Sequence, residues 1–334
     1  MPEPLFLGVD AGNSKTLAIV VDAAGAVRGV ARGGIGDIYG VADSQIAVDA
    51  VLDTVRRALD AADASLETVR SAAFRLAGVD WPEDEALWVG ALDGFLAATT
   101  TRSVLNDGFA CLRCGDPTGV GVAVSLGTGA AVAGRGPGDR EFSVSWWLQD
   151  YLGAAGLGRD GLRAVALAEL GMGAPTSLSR ELPGFYGVDD AKSLVHLANS
   201  RTSSLGHIDF ARAARVVVAA SEAGDAVARE VIDQHMARVA DYVEACARRV
   251  GLDPTAPFAI VLGGSVASEP SGQVRRALLA AIGERMPQAS VTMQNVVPIL
   301  GCALDALAEG GVPLDATLQR RMLDAGLPAD LLAT

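Results

Sequence analysis

The chain has 334 residues, enough for two domains, and half of them are hydrophobic, so sizeable cores can form. Its net charge of -13 argues against a nucleic-acid partner, which would require a basic face. No uncharged apolar run of about 18 residues marks a membrane span, and no basic, then apolar, leader precedes the first strand. The expected location is therefore cytoplasmic.

Residues 5–10, rich in Leu and Val, read as a strand that runs into the turn Gly12, Asn13, Ser14, Lys15 and Thr16. Further strands follow over 17–22 and 26–31, separated by a turn ending at Gly25. Backbone N–H groups, hydroxyls and a cation packed into one turn suit a phosphate, and Asp10 at the strand end suits a hydrated Mg²⁺ bridging phosphates. A plain Gly-rich hairpin is the competing reading. Residues 33–37 form a loop. Apolar positions at helical spacing predict a helix over 43–63. Val69 to Leu76 reads as a strand ending at Ala77-Gly78. Pro82 with Glu83, Asp84 and Glu85 marks a helix start. A short strand over 103–105 ends at Asn106-Asp107-Gly108, which is either a functional strand end or a turn and N-cap.

The opening pattern then returns. An apolar strand over 120–125 meets the turn Leu126-Gly127-Thr128-Gly129, and the strand resumes over 130–133. The two hairpins lie much farther apart than the units of a solenoid repeat, so they suit two related domains, 1–115 and 116–334, divided near Gly115–Gly119. Helices are expected over 159–170, 189–199, 208–222 and 225–250. A strand over 258–262 ends at Gly263-Gly264-Ser265. A helix over 270–285, a strand over 289–293 and a helix over 299–309 complete the pattern.

The four cysteines include one Cys111-Leu-Arg-Cys114 pair with no second pair, best read as small buried hydrophobes. His196, His207 and His235 lack metal-ligand spacing and read as structural. Polar or glycine chemistry thus sits at four strand ends, where α/β sheets bind ligands. Two phosphate-type hairpins plus a Gly-Gly strand end suit a nucleotide held between domains.

The ordered set Gly8–Thr16, Leu76–Asp80, Asn106–Gly108, Ser125–Gly129, Leu262–Ser265 and Pro298–Ala303 resembles the sugar kinase/Hsp70/actin superfamily. Within it, the set is similar to the N-acetylglucosamine kinase and BadF/BadG/BcrA/BcrD ATPase family. The resemblance spans most of the chain and implies an α/β fold of two actin-like (ribonuclease H-like) domains with a nucleotide cleft between them. It implies ATP and Mg²⁺ as cofactors, with the turn of Gly12, Asn13, Ser14, Lys15 and Thr16 and that of Gly127, Thr128 and Gly129 on the phosphates. By the same resemblance Gly263, Gly264 and Ser265 meet the adenosine, Asp10 orients the metal through water, and Asp107 is the general base. Asp37, Ala77, Gly78, Asn106, Ala130 and Asp150 fall on the side of a sugar substrate. Family members are often dimers, so a homodimer is expected.

The match weakens over 144–154, where the family's Gly-Trp-Gly stretch is absent; Asp150 survives, and Trp146 and Trp147 are displaced. Those tryptophans suit either stacking on a sugar face or a place in a core or interface. Asp37 stands where the family carries Asn, and Ala130 where it carries Ser. Extra carboxylates would suit an amine-bearing sugar. The expected activity is ATP-dependent phosphorylation of an amino sugar. One alternative is an ATPase activator of a partner enzyme; such activators hold an iron–sulfur cluster through cysteines of the central region, whereas Cys111 and Cys114 directly follow Asp107. A non-catalytic sugar sensor is the other alternative, and the intact Asp10, Asp107 and hairpins argue against it.

Overall fold

The computed structural model describes residues 3–138, 140–200, 208–293, 297–324, 326–328 and 331. In the first half, β1 (Leu5–Ala11), β2 (Thr16–Asp22) and β3 (Val27–Gly33) form an antiparallel meander. After α1 (Ser44–Ala61), β4 (Val69–Leu76) pairs parallel with β1; α2 (Pro82–Asp93) then leads to β5 (Thr101–Asn106), parallel to β4. A short α3 (Leu112–Gly115) follows.

The second half repeats this plan. A meander of β6 (Gly121–Leu126), β7 (Ala130–Arg135) and β8 (Glu141–Ser143) precedes five helices, α4 (Gly153–Glu169), α5 (Leu178–Tyr186), α6 (Ala191–Asn199), α7 (Phe210–Glu222) and α8 (Ala226–Arg249). Then β9 (Ala259–Gly263), α9 (Gln273–Arg285) and β10 (Ser290–Thr292) complete a parallel flank. The sheet orders, β3-β2-β1-β4-β5 and β8-β7-β6-β9-β10, are the same path drawn twice. The repeated hairpin in the sequence is thus the start of a repeated sheet.

Alternation along β1 explains how each sheet is covered on both faces. Leu5, Leu7, Val9 and Ala11 join a core with Val48, Val51 and Val55 of α1. Phe6 on the opposite face packs with Leu300, Ala303 and Leu307 of α10 (Pro298–Glu309). Gly8 permits this approach, since a Cβ there would lie 2.5 Å from the Ala303 nitrogen. In the second sheet, Val122, Val124 and Ile260 face the helices, while Ala123, Ala133 and Val261 face Phe109, Leu112 and Cys114. The expected second half, 116–334, therefore includes a stretch from Pro298 onward that packs with the first sheet. It is joined there by α11 (Ala316–Leu323), whose Leu318 and Met322 lie in the same cluster.

Three elements had no clear sequence signal. β8 has three residues, α5 contains Pro183, and α11 follows Asp315, whose carboxylate caps it by accepting from the Thr317 and Leu318 N–H groups.

The two sheets meet at a buried ion cluster. Asp305 of α10 is 1% exposed and accepts from Arg75 of β4 (Nε, 2.8 Å), Arg113 of α3 (Nε, 2.6 Å) and Arg135 of β7 (Nη1, 3.4 Å). Glu309 balances Arg75 at 2.8 Å and Glu141 balances Arg135 at 2.7 Å. Burial opposes the Asp305 charge, yet Arg75, Arg135 and Arg113 together hold its carboxyl below the usual range. Asp305→Ala strands buried guanidinium groups, so urea unfolding is expected to show a loss of about 3–5 kcal/mol. A loss comparable to that of an exposed pair would show that the cluster does not hold the sheets.

Candidate active site

The carboxyl ends of β1, β4, β5 and β6 converge on a cleft of about 810 Å³ between the two sheets. The first sheet contributes Asn13, Ser14, Ala77, Gly78, Asn106 and Asp107; the second contributes Gly127, Thr128, Gly129 and Ala130. These residues were expected at one site from their places in the chain, and the fold brings them together.

The turns differ in how they are held. In the first, Gly12 N–H donates to the Lys15 carbonyl (3.0 Å), and Asn13 and Ser14 are exposed toward the cleft. Lys15 lies within the field of Asp10; burial and Arg32 lower its pKa, and Asp10 opposes the shift. Thr16 departs from its expected place on the phosphate. It is fully buried at the start of β2, facing Gly36 rather than the cleft. The second turn is tied to the start of α4, where the N–H groups of Ala154 and Ala155 donate to the carbonyls of Gly127 and Thr128, both at 2.9 Å. Gly153 (φ +77°) allows this close approach, because a Cβ would meet the Gly129 oxygen at 2.2 Å.

Gly263 ends β9 beside Ser125, and Gly264 (φ +94°) crosses over Leu126 with no room for a side chain. Ser265 lines a neighbouring cavity of about 540 Å³ with Ala154, Arg215, Glu222 and Glu269. A planar group could lie there beside the second turn.

Burial raises the Asp10 carboxyl to about 6 against the attraction of Lys15. Burial also raises Asp107 to about 7, helped by the charges of Asp10, Asp80 and Asp37 and opposed by the Gly108 N–H. An acid poised there holds or releases a proton near neutral pH. The donor chemistry fits a hydrated divalent cation, because the strand-end carboxylate of Asp10 and its neighbour Asp107 both carry unfavourable buried charge.

Two expected sugar-side residues lie elsewhere. Asp37 is buried and accepts from the Asn13 amide and the Tyr39 N–H, so it braces the first turn instead of lining the cleft. Asp150 accepts from the Tyr242 hydroxyl (2.9 Å) and lies 3.9 Å from Arg238, on the surface of α8. Trp147 is 64% exposed, which rules out a core role; the side chain of Trp146 lies outside the described part. In their place the cleft gains Asp80, Ser143 and Ser145. Asp80 ends the Leu76–Asp80 motif, which was a signal for it, whereas nothing local marked the serines.

Cys111 and Cys114 are buried free thiols, raised by burial well above the ordinary thiol range and to about 12 respectively. They are core groups, not exposed cluster ligands. No metal-holding cluster of His, Cys, Asp and Glu occurs among the described residues. No helix among them is long and apolar enough to cross a membrane. His235 is buried against Asp160 (2.7 Å), while His207 lies outside the described residues.

Raised carboxyls carry a sign. Between the ordinary 3.8 and about 7 the folded state binds more protons than the unfolded chain, so stability falls as pH rises through that window. Asp107→Asn removes this penalty. Its melting temperature relative to wild type is expected to be higher at pH 8 than at pH 4; an equal difference at both would contradict the buried, raised carboxyl.

Comparisons with known proteins found relatives over most of the chain. A 26% identical relative, matched over 92% of this chain and 99% of its own length, is the N-acetyl-D-glucosamine kinase of Dictyostelium discoideum. A candidate N-acetylglucosamine kinase from Chromobacterium violaceum superposes with a TM-score of 0.65 at 21% identity, covering 91% of this chain and 99% of that one. A ROK-family glucokinase from Streptomyces griseus, solved with glucose and AMPPNP, superposes at 0.51 with 17% identity over 92% and 98%. The two-domain α/β fold of this chain is thus the fold of those two structures. Residues 7–306 match the BadF/BadG/BcrA/BcrD ATPase family, and the chain belongs to that family.

Proposed function

We propose that the protein is an ATP-dependent sugar kinase acting on a hydroxyl of a hexose, N-acetylglucosamine or glucosamine. The observation that carries this reading is Asp107, at the end of β5 in the cleft between both turns, with its carboxyl raised to about 7. A full-length relative that is an N-acetylglucosamine kinase supports the substrate class.

In this reading the turns at 12–15 and 127–129 hold the ATP phosphates through N–H groups and hydroxyls. Gly264 and the cavity beside Ser265 receive the nucleoside. Asp107 takes the proton of the acceptor hydroxyl as that oxygen bonds to the γ-phosphorus and the bond to the β–γ bridging oxygen breaks, releasing ADP. Asp10 would hold a Mg²⁺ through water, and the ion would supply charge neutralisation on the phosphates. Positioning and electrostatics contribute most of the rest.

The buried thiols of Cys111 and Cys114 give the cluster-bearing activator reading no support. The earlier case for an amine-bearing sugar rested on Asp37 and Asp150, and neither lines the cleft. N-acetylglucosamine and glucosamine are therefore separated by assay.

An ADP-coupled assay over glucose, glucosamine, N-acetylglucosamine and N-acetylmannosamine tests the reading. Phosphorylation of one or both glucosamine sugars is expected, and ADP release independent of any sugar would contradict it. Asp107→Asn is expected to retain ATP binding and lose about 10²–10⁴-fold in kcat. Because the base must be deprotonated, kcat/KM should fall as pH drops below about 7.

A further inference from the structure

Asp80 sits in the cleft at the end of a motif to which the reaction above assigns no task. Its backbone is fixed. The Asp80 N–H donates to Asp84 Oδ2 (3.1 Å), and that buried carboxylate also accepts from the Trp81 N–H (2.9 Å) and the Tyr39 hydroxyl (3.0 Å). Its side chain then receives donors from both halves of the molecule. Asn106 Nδ2 donates to Asp80 Oδ1 at 2.9 Å from the end of β5, and the Ser145 hydroxyl donates to the same oxygen from the segment after β8.

The Asn106 amide has one workable orientation. Its Oδ1 accepts from the Gly108 N–H (2.9 Å) and the Ser143 hydroxyl (3.3 Å) while its Nδ2 faces Asp80. Reversing it would set an NH₂ group against an N–H and a carbonyl against a carboxylate. The Gly108 bond caps the one-turn 3₁₀ segment Asp107–Phe109 at its N-terminus, so the amide orientation bears on the turn that carries the proposed base. Ser145 has φ +36°, a left-handed conformation that a non-glycine residue holds only when its surroundings require it. That conformation accompanies the reach of its hydroxyl to Asp80.

We propose that Asp80 is a positioning residue for the phosphoryl transfer: it joins Asn106 of the first half to Ser145 of the second and so fixes the Asp107 turn when the halves are apposed. The proposal rests on the kinase reading given above. Asp80 acts through Asn106 and Ser145, and its negative charge additionally favours the protonated form of Asp107.

Three variants test it with the best acceptor of the sugar panel. Asp80→Ala is expected to lower kcat by about 10²-fold with KM for ATP unchanged, the signature of a misaligned reacting group. Asp80→Asn is expected to recover most of that loss, since its amide oxygen accepts from both donors. Ser145→Gly suits a positive φ, so it should melt no lower than wild type yet lower kcat, by less than Asp80→Ala because the Asn106 bond to Asp80 remains. A fourth measurement needs no acceptor: the Asn106 side-chain amide protons, followed by NMR, should lose their protection in Asp80→Ala and keep it in Asp80→Asn. Wild-type kcat in Asp80→Ala overturns the proposal, as does Asp80→Asn impaired as severely as Asp80→Ala, or an Asn106 amide indifferent to Asp80. A wild-type protein that phosphorylates no sugar, with Asn106 protons still dependent on Asp80, instead sinks the kinase reading and leaves only the hold of Asp80 on Asn106 and the Asp107 turn.

Discussion

Asp305 is the point on which the arrangement of the two sheets depends. An acid in the middle of an apolar helix would normally be costly to bury. Here its two oxygens are shared among guanidinium groups from β4, α3 and β7, so one carboxylate ties a strand of each sheet and the helix α3. Such a cluster contributes less to net stability than its Coulomb energy suggests, because desolvation offsets the attraction. What it restricts is geometry, since few placements of α10 satisfy three planar donors at once. Arg75 is the register partner of Asp10 across β1 and β4, so the cluster is also set beside the strand that ends at the cleft.

Above that junction the site is assembled almost wholly from strand ends. Parallel pairing of β1, β4 and β5 places their carboxyl ends side by side, and β6 with β9 does the same opposite them. The repeated topology lets two sheets each present a Gly and hydroxyl turn to one space. The charges of Asp10, Asp80 and Asp37 add to burial in raising Asp107, which costs stability and is useful for proton transfer.

Features encoded within a few residues were legible in the sequence. The strand-turn-strand units at 5–22 and 120–133, Asp107 after its strand and the Gly-Gly end of β9 all announce themselves through local composition. Features made by distant contacts were not. The return of α10 to the first sheet leaves no mark, because an apolar helix fits either core. The resemblance puts Asp150 at the sugar because this residue survives in an otherwise altered stretch, but the 3₁₀ turn at Ser145–Trp147 leaves it facing Tyr242. Asp37 looked like a substrate ligand from its place in the loop, yet the nearness of Asn13 and Tyr39 gives it partners of its own. Asp80 meets Ser143, at the end of β8, and Ser145, just after it, and only the folded chain reveals that meeting.

The fastening of the second turn to α4 has an electrostatic consequence. A helix start normally offers its free N–H groups directly to an anion. In this fold the N–H groups of Ala154 and Ala155 are already given to the carbonyls of Gly127 and Thr128. The positive end of the α4 dipole therefore reaches the cleft through an intermediate layer of peptide groups, which it polarises in series. The turn gains acidity in its own donors together with a helical backing, while the exposed turn at 12–15 is braced by Asp37, which accepts from the Asn13 amide.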